Sequence, residues 1–197
     1  MSDSVAPCGQ AKYQVRFDWG VAGAERILPG AHVVVVVDVL PSTGGEARGE
    51  VSGEAIAAGL ADRDVVVLAA SLRNRTAVAR RILELQEQSG ERLLVAIIAA
   101  GEAGGDELRF TIEDQLGAGA VVDALIALGI DHTSPEAAVA CAAFEGLRHA
   151  ATHLIGASGS AVGLVEQGRR PEVRSATEID VSTDVPVLGD GDGGLGG

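Results

Sequence analysis

The chain has 197 residues, of which 47% are apolar and only 3% aromatic, and its formal net charge is −13. This composition predicts a single domain with a core of valine, alanine, leucine and isoleucine. The acidic balance argues against nucleic acid or an anionic membrane surface as a partner, and a single lysine, Lys12, excludes the GxxxxGK[ST] phosphate-binding loop.

We expect neither a secretory signal nor a membrane-spanning segment. Residues 1–10 lack the basic and apolar regions of a secretory signal, and apolar stretches such as 33–37 and 93–100 are too short for membrane-spanning helices. Cys8 and Cys141 belong to no CxxC pair, so a disulfide framework is not indicated. We expect a cytoplasmic protein with a disordered start over 1–10, one domain over 11–188 and a flexible Gly/Asp tail over 189–197.

Four segments predict β-strands. Residues 13–19 alternate apolar and polar side chains, as in a half-buried strand. Five consecutive valines over 33–37 continue to Leu40 and are typical of a strand covered on both faces in a parallel sheet. Two further buried strands are predicted over 65–70 and 94–99.

Helices alternate with these strands. The spacing of apolar residues and the capping signals predict helices over 54–61, 76–88, 112–128, 134–154 and 161–166, with loops over 41–53 and 101–105 and an edge strand over 181–188. Small residues over 117–120 indicate close packing of another backbone, within or between subunits. The pattern predicts an α/β fold, a three-layer α/β/α sandwich with a largely parallel or mixed central sheet.

Asp38 follows the most apolar predicted strand and precedes a glycine-rich loop. Ligands of open α/β sheets bind at the carboxyl ends of the strands, where a carboxylate can bind Mg²⁺. Ser42 and Thr43 in the loop supply hydroxyl groups for a phosphate. The alternative is that Asp38 only bonds the backbone of the loop.

Glu113 and Asp114 lie in the first turn of the predicted helix over 112–128. Acidic residues are favoured there by the helix dipole alone, which is the structural alternative. If the strands are parallel, however, this helix starts at the same sheet edge as Asp38, and converging carboxylates hold hard cations. Arg109 and Arg73 are the anion-binding candidates of such a cleft, or else solvated surface arginines.

A second candidate constellation lies in the predicted helix over 134–154. Cys141, Glu145, His149 and His153 recur at four-residue spacing, so the two histidines could bind a metal. The HExxH zinc motif fails because Ala150 stands in the position of its glutamate. Structural histidines are therefore the favoured interpretation.

Several short segments occur in a characteristic order along the chain: FDWG at 17–20, VVVVVDVL with Asp38, SLRNRTAVA with Asn74, IIAAGE at 97–102, Arg109 shortly before IEDQLGAGAVV, ASG at 157–159 and DVSTDVPVL at 180–188. With these segments the chain resembles the 2-phosphosulfolactate phosphatase family. The resemblance implies an α/β/α sandwich and a Mg²⁺-dependent phosphatase that hydrolyses 2-phosphosulfolactate to sulfolactate and phosphate, a step of coenzyme M biosynthesis.

The resemblance also implies roles for the candidate residues. Asp38, Glu113 and Asp114 would be catalytic, with Asp38 and Asp114 as metal ligands. The substrate, a small phosphorylated anion, would contact Ser42, Thr43, Asn74 and Arg109.

The chain departs from the family pattern at two places. Pro41 stands where the family usually has a polar residue, and the segment between it and the next strand is shortened. A Ser-Gly-Arg turn is replaced by Ser158, Gly159 and Ser160. The alternative function is therefore a catalytically degenerate relative that binds a small anion or serves as an oligomeric partner, and a homo-oligomer is compatible with either function.

Overall fold

A parallel β-sheet forms the centre of the molecule. The computed structural model describes residues 7–41, 52–104 and 107–188. Its four central strands are paired in the order β1, β4, β2, β3 and all run parallel; they are β1 (Val15–Trp19), β2 (Val33–Val37), β3 (Val66–Ala70) and β4 (Val95–Ala99). The predicted α/β class is confirmed, and this sheet is wholly parallel.

Helices cover both faces of the sheet. They are α1 (Gly20–Ile27), α2 (Gly53–Ala58), α3 (Arg75–Ser89), α4 (Ile112–Ala127), α5 (Pro135–Leu147), α6 (Ala151–Gly156), α7 (Gly159–Glu166) and α8 (Arg170–Ala176). Ser52, Ser134 and Ser158 cap α2, α5 and α7 by accepting a backbone N–H with the side-chain oxygen. No helix in the described ranges combines the length and apolar character needed to cross a membrane.

The valines of β2 explain why this strand has no polar face. Val34 and Val36 pack with α1 and α2, whereas Val33, Val35 and Val37 pack with the helices on the opposite face. Because successive side chains of a strand point to opposite faces, both layers bury apolar surface against the same strand. The predicted three-layer sandwich is therefore confirmed.

The small residues of α4 allow close packing against α5 within the same chain. A Cβ added to Gly119 would lie 2.0 Å from the carbonyl oxygen of Ala140, which is a backbone atom and cannot rotate away. Gly117 similarly faces Val37 and Val39. Of the two alternatives for this stripe, the structure supports packing within the subunit.

The predicted helix over 134–154 is wrong as a continuous element. It is interrupted by a 3-10 turn, Arg148–Ala150, after which α6 buries Ala151 in the core. His149 lies in this turn and His153 in α6, and both are exposed. The common helical stripe that suggested a metal pair therefore does not form.

Two loop assignments also differ from the prediction. Part of the predicted loop over 101–105 is a strand, β5 (Glu102–Gly104), which forms an antiparallel hairpin with β6 (Glu107–Arg109). The predicted edge strand over 181–188 makes a single isolated bridge, from Val187 to Leu68. Two backbone hydrogen bonds join this segment to β3: the Pro186 carbonyl accepts the N–H of Ala69, and the Leu188 N–H donates to the Val67 carbonyl. Two bonds are too few for a regular β-ladder.

The guanidinium of Arg16 lies in the interior with 1% of the residue exposed. It donates to the carbonyl oxygens of Ile27 (2.9 Å) and Pro29 (2.7 Å) at the end of α1, and to those of Ala11 (3.0 Å) and Tyr13 (3.2 Å). Burial lowers the pKa of Arg16. The side chain thus joins the first strand to the segments on either side of it.

The outer edge of β1 is bonded by a side chain in place of another strand. The amide of Gln10 donates to the Phe17 carbonyl oxygen (2.8 Å) and accepts from the Phe17 N–H (3.0 Å). Gln10 is buried and has a φ of 53°, a left-handed conformation that is uncommon for a residue other than glycine. These paired bonds replace the two that a neighbouring strand would make.

Candidate active site

The strands β2 and β4 are neighbours, but the chain leaves them toward opposite faces of the sheet. After β2 it leads to α2, which packs in one helical layer, and after β4 it leads through the hairpin to α4 in the other layer. Such a point opens a crevice at the carboxyl ends of the strands, which is where open α/β sheets bind ligands. We call this side of the sheet the carboxyl edge; Asp38 and Gly101 lie on it.

Asp114 joins three segments at the carboxyl edge. Its Oδ1 accepts the N–H of Val39 (2.8 Å), and its Oδ2 accepts the N–H of Gly101 (2.9 Å) and the hydroxyl of Thr111 (2.8 Å). The carboxyl thus connects the chain after β2, the chain after β4 and the start of α4. With three of its acceptor positions taken and 2% of the residue exposed, it positions the edge.

The carboxyl of Glu113, the neighbouring residue, differs from that of Asp114 in its hydrogen bonding. It is also 2% exposed, yet its Oε2 has no hydrogen-bond partner within the described part of the chain. A buried polar atom without a partner is costly and uncommon, and more so when it belongs to a carboxylate. Glu113 therefore offers a buried carboxylate oxygen that the described residues leave without a hydrogen bond.

Asp38 lies at the mouth of a groove of about 290 Å³. Its Oδ2 accepts the N–H of Gly53 (2.9 Å), so the carboxylate connects β2 to the first turn of α2. The groove is otherwise mostly apolar, with Glu54 as its second acidic residue. The predicted position of Asp38 at the carboxyl edge therefore agrees with the structure.

The carboxyl groups of this region influence one another. Burial, followed by the charge of Asp38, raises the pKa of Asp114 to about 8. The pKa of Asp38 is also raised, mainly because the surrounding protein displaces water from its carboxyl, and further by the charges of Glu113 and Glu54. The residue as a whole is nevertheless exposed at the groove. Repulsion among carboxylates is relieved by a proton or by a cation.

These residues fit a magnesium ion only in part. In the described ranges, no three His, Cys, Asp or Glu side chains are arranged to hold a metal ion between them. Glu113 and Asp38 nevertheless offer carboxylate oxygens, the donors that Mg²⁺ prefers, and Mg²⁺ is commonly held by one or two carboxylates with water and phosphate as further ligands. Glu113 is thus a better metal-ligand candidate than Asp114, which the sequence suggested.

Arg109 belongs to a small polar cluster between the hairpin and α7. Its Nη2 is ion-paired with Glu102 and also donates to the Ser160 hydroxyl (3.2 Å), and that hydroxyl donates to Glu102 Oε2 (3.4 Å). We call these three residues the Arg109 cluster. The arginine side chain is 46% exposed, so it remains accessible to an anion.

The two other arginines near the ends of β3 and α3 are engaged by different partners. Arg73 is ion-paired with Glu178, and Arg75 with Asp123 and Asp180. These pairs join α3 to α4 and to the segment after α8. Among the anion-binding candidates, Arg109 is preferred to Arg73 because its side chain is more exposed, 46% against 33%.

Asn74 uses its side-chain amide to hold the backbone. Its Nδ2 donates to the carbonyl oxygens of Ala69 (3.1 Å) and Asp184 (3.0 Å), and its Oδ1 accepts the N–H of Ser71 (2.9 Å). Both amide hydrogens are engaged, so a direct contact with an anion would require displacing one of them. The predicted binding residues Ser42 and Thr43 lie outside the described residues.

Sequence reasoning did not find Glu102 and Ser160 as neighbours of Arg109. Glu102 was noted only within the IIAAGE segment, and Ser160 is 58 positions farther along the chain. No periodicity connects residues so distant.

Comparison with a model of a known protein family gives evidence on the family of this chain. The model described as 2-phosphosulpholactate phosphatase matches residues 53–191. The chain belongs to this family. The matched range contains Asn74, Arg109, Glu113 and Asp114, whereas Asp38 precedes it. No curated protein matches the chain.

Proposed function

We propose that the protein is a Mg²⁺-dependent phosphatase that hydrolyses 2-phosphosulfolactate, or a related small phosphorylated hydroxy acid, at the carboxyl edge. The observation that carries this proposal is the buried Glu113 Oε2 without a described partner, next to other carboxylates at the switch point of the sheet. Membership of a phosphatase family supports the reaction type.

Asp38 and Glu113 would hold the magnesium ion. When bound, the ion would neutralise phosphate oxygens and lower the pKa of a coordinated water. Asp114 would keep these two carboxylates in place, since it fixes both the chain after Asp38 and the first turn of the helix that carries Glu113.

Arg109 and Asn74 would have different roles toward the anionic substrate. Arg109 would bind an acidic group of the substrate, because its guanidinium is half exposed and carries N–H donors suited to carboxylate, sulfonate or phosphate oxygens. Asn74 would act indirectly by fixing the ends of β3 and of the C-terminal segment.

Hydrolysis forms one bond and breaks another. The oxygen of water bonds to phosphorus, and the bond between phosphorus and the ester oxygen breaks. A proton from the water is delivered to that ester oxygen, which becomes the hydroxyl of the hydroxy acid. Since Asp38 and Glu113 would be engaged as metal ligands, solvent at the groove beside the exposed Asp38 would carry this proton between the two oxygens.

The assay uses the full chain with 2-phosphosulfolactate and with p-nitrophenyl phosphate, each with Mg²⁺ and with EDTA. We expect Mg²⁺-dependent phosphate release that falls by about a hundredfold or more in Asp38→Asn and Glu113→Gln, because both remove a charged ligand. Asp131→Asn is the matched control, since Asp131 is exposed and lies beside the starts of the strands.

Two results would contradict the proposal. Phosphate release from neither ester by the unaltered protein would favour the catalytically degenerate, anion-binding alternative. Equal activity of the unaltered protein and Glu113→Gln would remove the unpartnered oxygen as the basis of the site.

A further inference from the structure

We propose that Glu102 and Ser160 are positioning residues, which hold Arg109 so that its remaining N–H donors bind the second acidic group of the substrate, a carboxylate or sulfonate. This inference rests on the proposed function and adds a specificity subsite to it. Its basis is the set of contacts within the Arg109 cluster.

The contacts of the Arg109 guanidinium all lie on one side of it. Both contacts of the guanidinium to the cluster are made by one nitrogen, Nη2, which is paired with Glu102 and donates to Ser160. The donors on Nε and Nη1 have no hydrogen-bond partner among the described residues. The cluster thus fixes one side of the guanidinium and leaves the other side accessible.

Ser160 restrains the Arg109 side chain from a buried position. Ser160 is 3% exposed, and its hydroxyl accepts from Arg109 and donates to Glu102. A free arginine loses much rotamer freedom when it binds a ligand, whereas one that is already fixed loses less.

The Arg109 cluster is close in sequence to the residues of the proposed metal site. Glu102 directly follows Gly101, whose N–H bonds to Asp114, and Arg109 precedes Glu113 by four residues. The cluster is therefore tied to the same edge as the carboxylates without being one of them. In this proposal, a substrate that bridges the two places has its phosphate at Asp38 and Glu113 and its second acidic group at Arg109.

A ratio of two substrates tests this inference. The kcat and KM values are measured for 2-phosphosulfolactate, which has further acidic groups, and for p-nitrophenyl phosphate, which has none. In Ser160→Ala we expect the KM for 2-phosphosulfolactate to rise about fivefold to tenfold with little change in its kcat, as for the loss of one hydrogen bond to a charged group. The ratio of the two kcat/KM values should fall by the same factor.

Ser158→Ala is the matched control. Ser158 caps α7 through Ala161 N–H, two residues from Ser160, so this change weakens the same helix without removing a contact to Arg109. We expect the substrate ratio of Ser158→Ala to equal that of the unaltered protein. An unchanged ratio in Ser160→Ala, or an equal fall in both variants, would overturn the inference.

A binding measurement separates this inference from the proposed function. If the unaltered protein hydrolyses neither ester, the proposed function fails, and calorimetric titration with sulfolactate decides the subsite. Binding that weakens in Ser160→Ala but not in Ser158→Ala supports the subsite. Absence of sulfolactate binding, or equal affinity in the unaltered protein and Ser160→Ala, overturns it.

Discussion

Arg16 and Glu113 are almost equally buried, with 1% and 2% of each residue exposed, but their polar atoms are in opposite situations. Arg16 donates to four backbone carbonyls, whereas Glu113 has a buried oxygen without a described partner. Burial alone therefore does not separate a structural charge from a functional one. The number of satisfied hydrogen bonds does, because an unsatisfied buried group persists at a cost to stability.

The largest effect on stability is expected at Arg16. Arg16→Leu leaves four carbonyl oxygens without their donor, so we expect the free energy of unfolding to fall by about 4 kcal/mol. Urea denaturation measures it, with Arg80→Leu as the control because Arg80 is exposed on α3. A loss of less than about 1 kcal/mol would show that water replaces the guanidinium. The hydrogen bonds of Arg16 would then not distinguish its role from that of Glu113.

An intermediate effect is expected from pH. The pKa of Asp114 is about 8 in the folded protein and near its ordinary value of 3.8 in the unfolded chain. Between these values the folded protein retains a proton that the unfolded chain has released, so the free energy of unfolding should fall as pH rises. The raised pKa of Asp38 acts in the same direction.

Urea midpoints of the metal-free protein at about pH 5 and about pH 8 measure this dependence. We expect the lower midpoint at the higher pH, and a smaller difference when Mg²⁺ is present because a cation offsets the carboxylate charges. A midpoint that rises with pH would indicate that the three donors around Asp114 keep it ionised throughout.

The smallest effect is expected at Glu113. Without metal, Glu113→Gln should raise the free energy of unfolding by about 1 kcal/mol, because it removes one buried charge next to the carboxyl groups of Asp38 and Asp114. The unaltered protein should gain thermal stability from millimolar Mg²⁺, and this gain should be lost in the variant. Destabilisation of the metal-free variant would instead place Glu113 with Arg16 as a structural residue.

The sequence predicts the parallel core well because its evidence is local. Uniform valine and alanine runs identify strands covered on both faces, and from parallel strands it follows that Asp38 and the start of α4 share one edge. The insertion of β4 between β1 and β2 is not predictable in this way, because it depends on contacts between segments distant in the chain.

The site was predicted in its location more than in its roles. Asp114 and Glu113 are adjacent and chemically alike, so no spacing rule separates the carboxylate that positions the edge from the one with an unpartnered oxygen. Their difference arises from which side of α4 faces Val39 and Gly101. The functions suggested for Asn74 and Arg109 likewise depend on partners that lie more than 50 residues away.

The side-chain amide of Gln10 has a consequence for assembly. Exposed sheet edges are where a second chain can add a strand, which leads to edge-to-edge association and aggregation. At Phe17 both backbone groups are already bonded to Gln10, and at Val15 they are bonded to the segment around His132 and Ser134. Extension of the sheet past β1 would have to displace these bonds, so this edge is closed to the addition of a strand from a second chain.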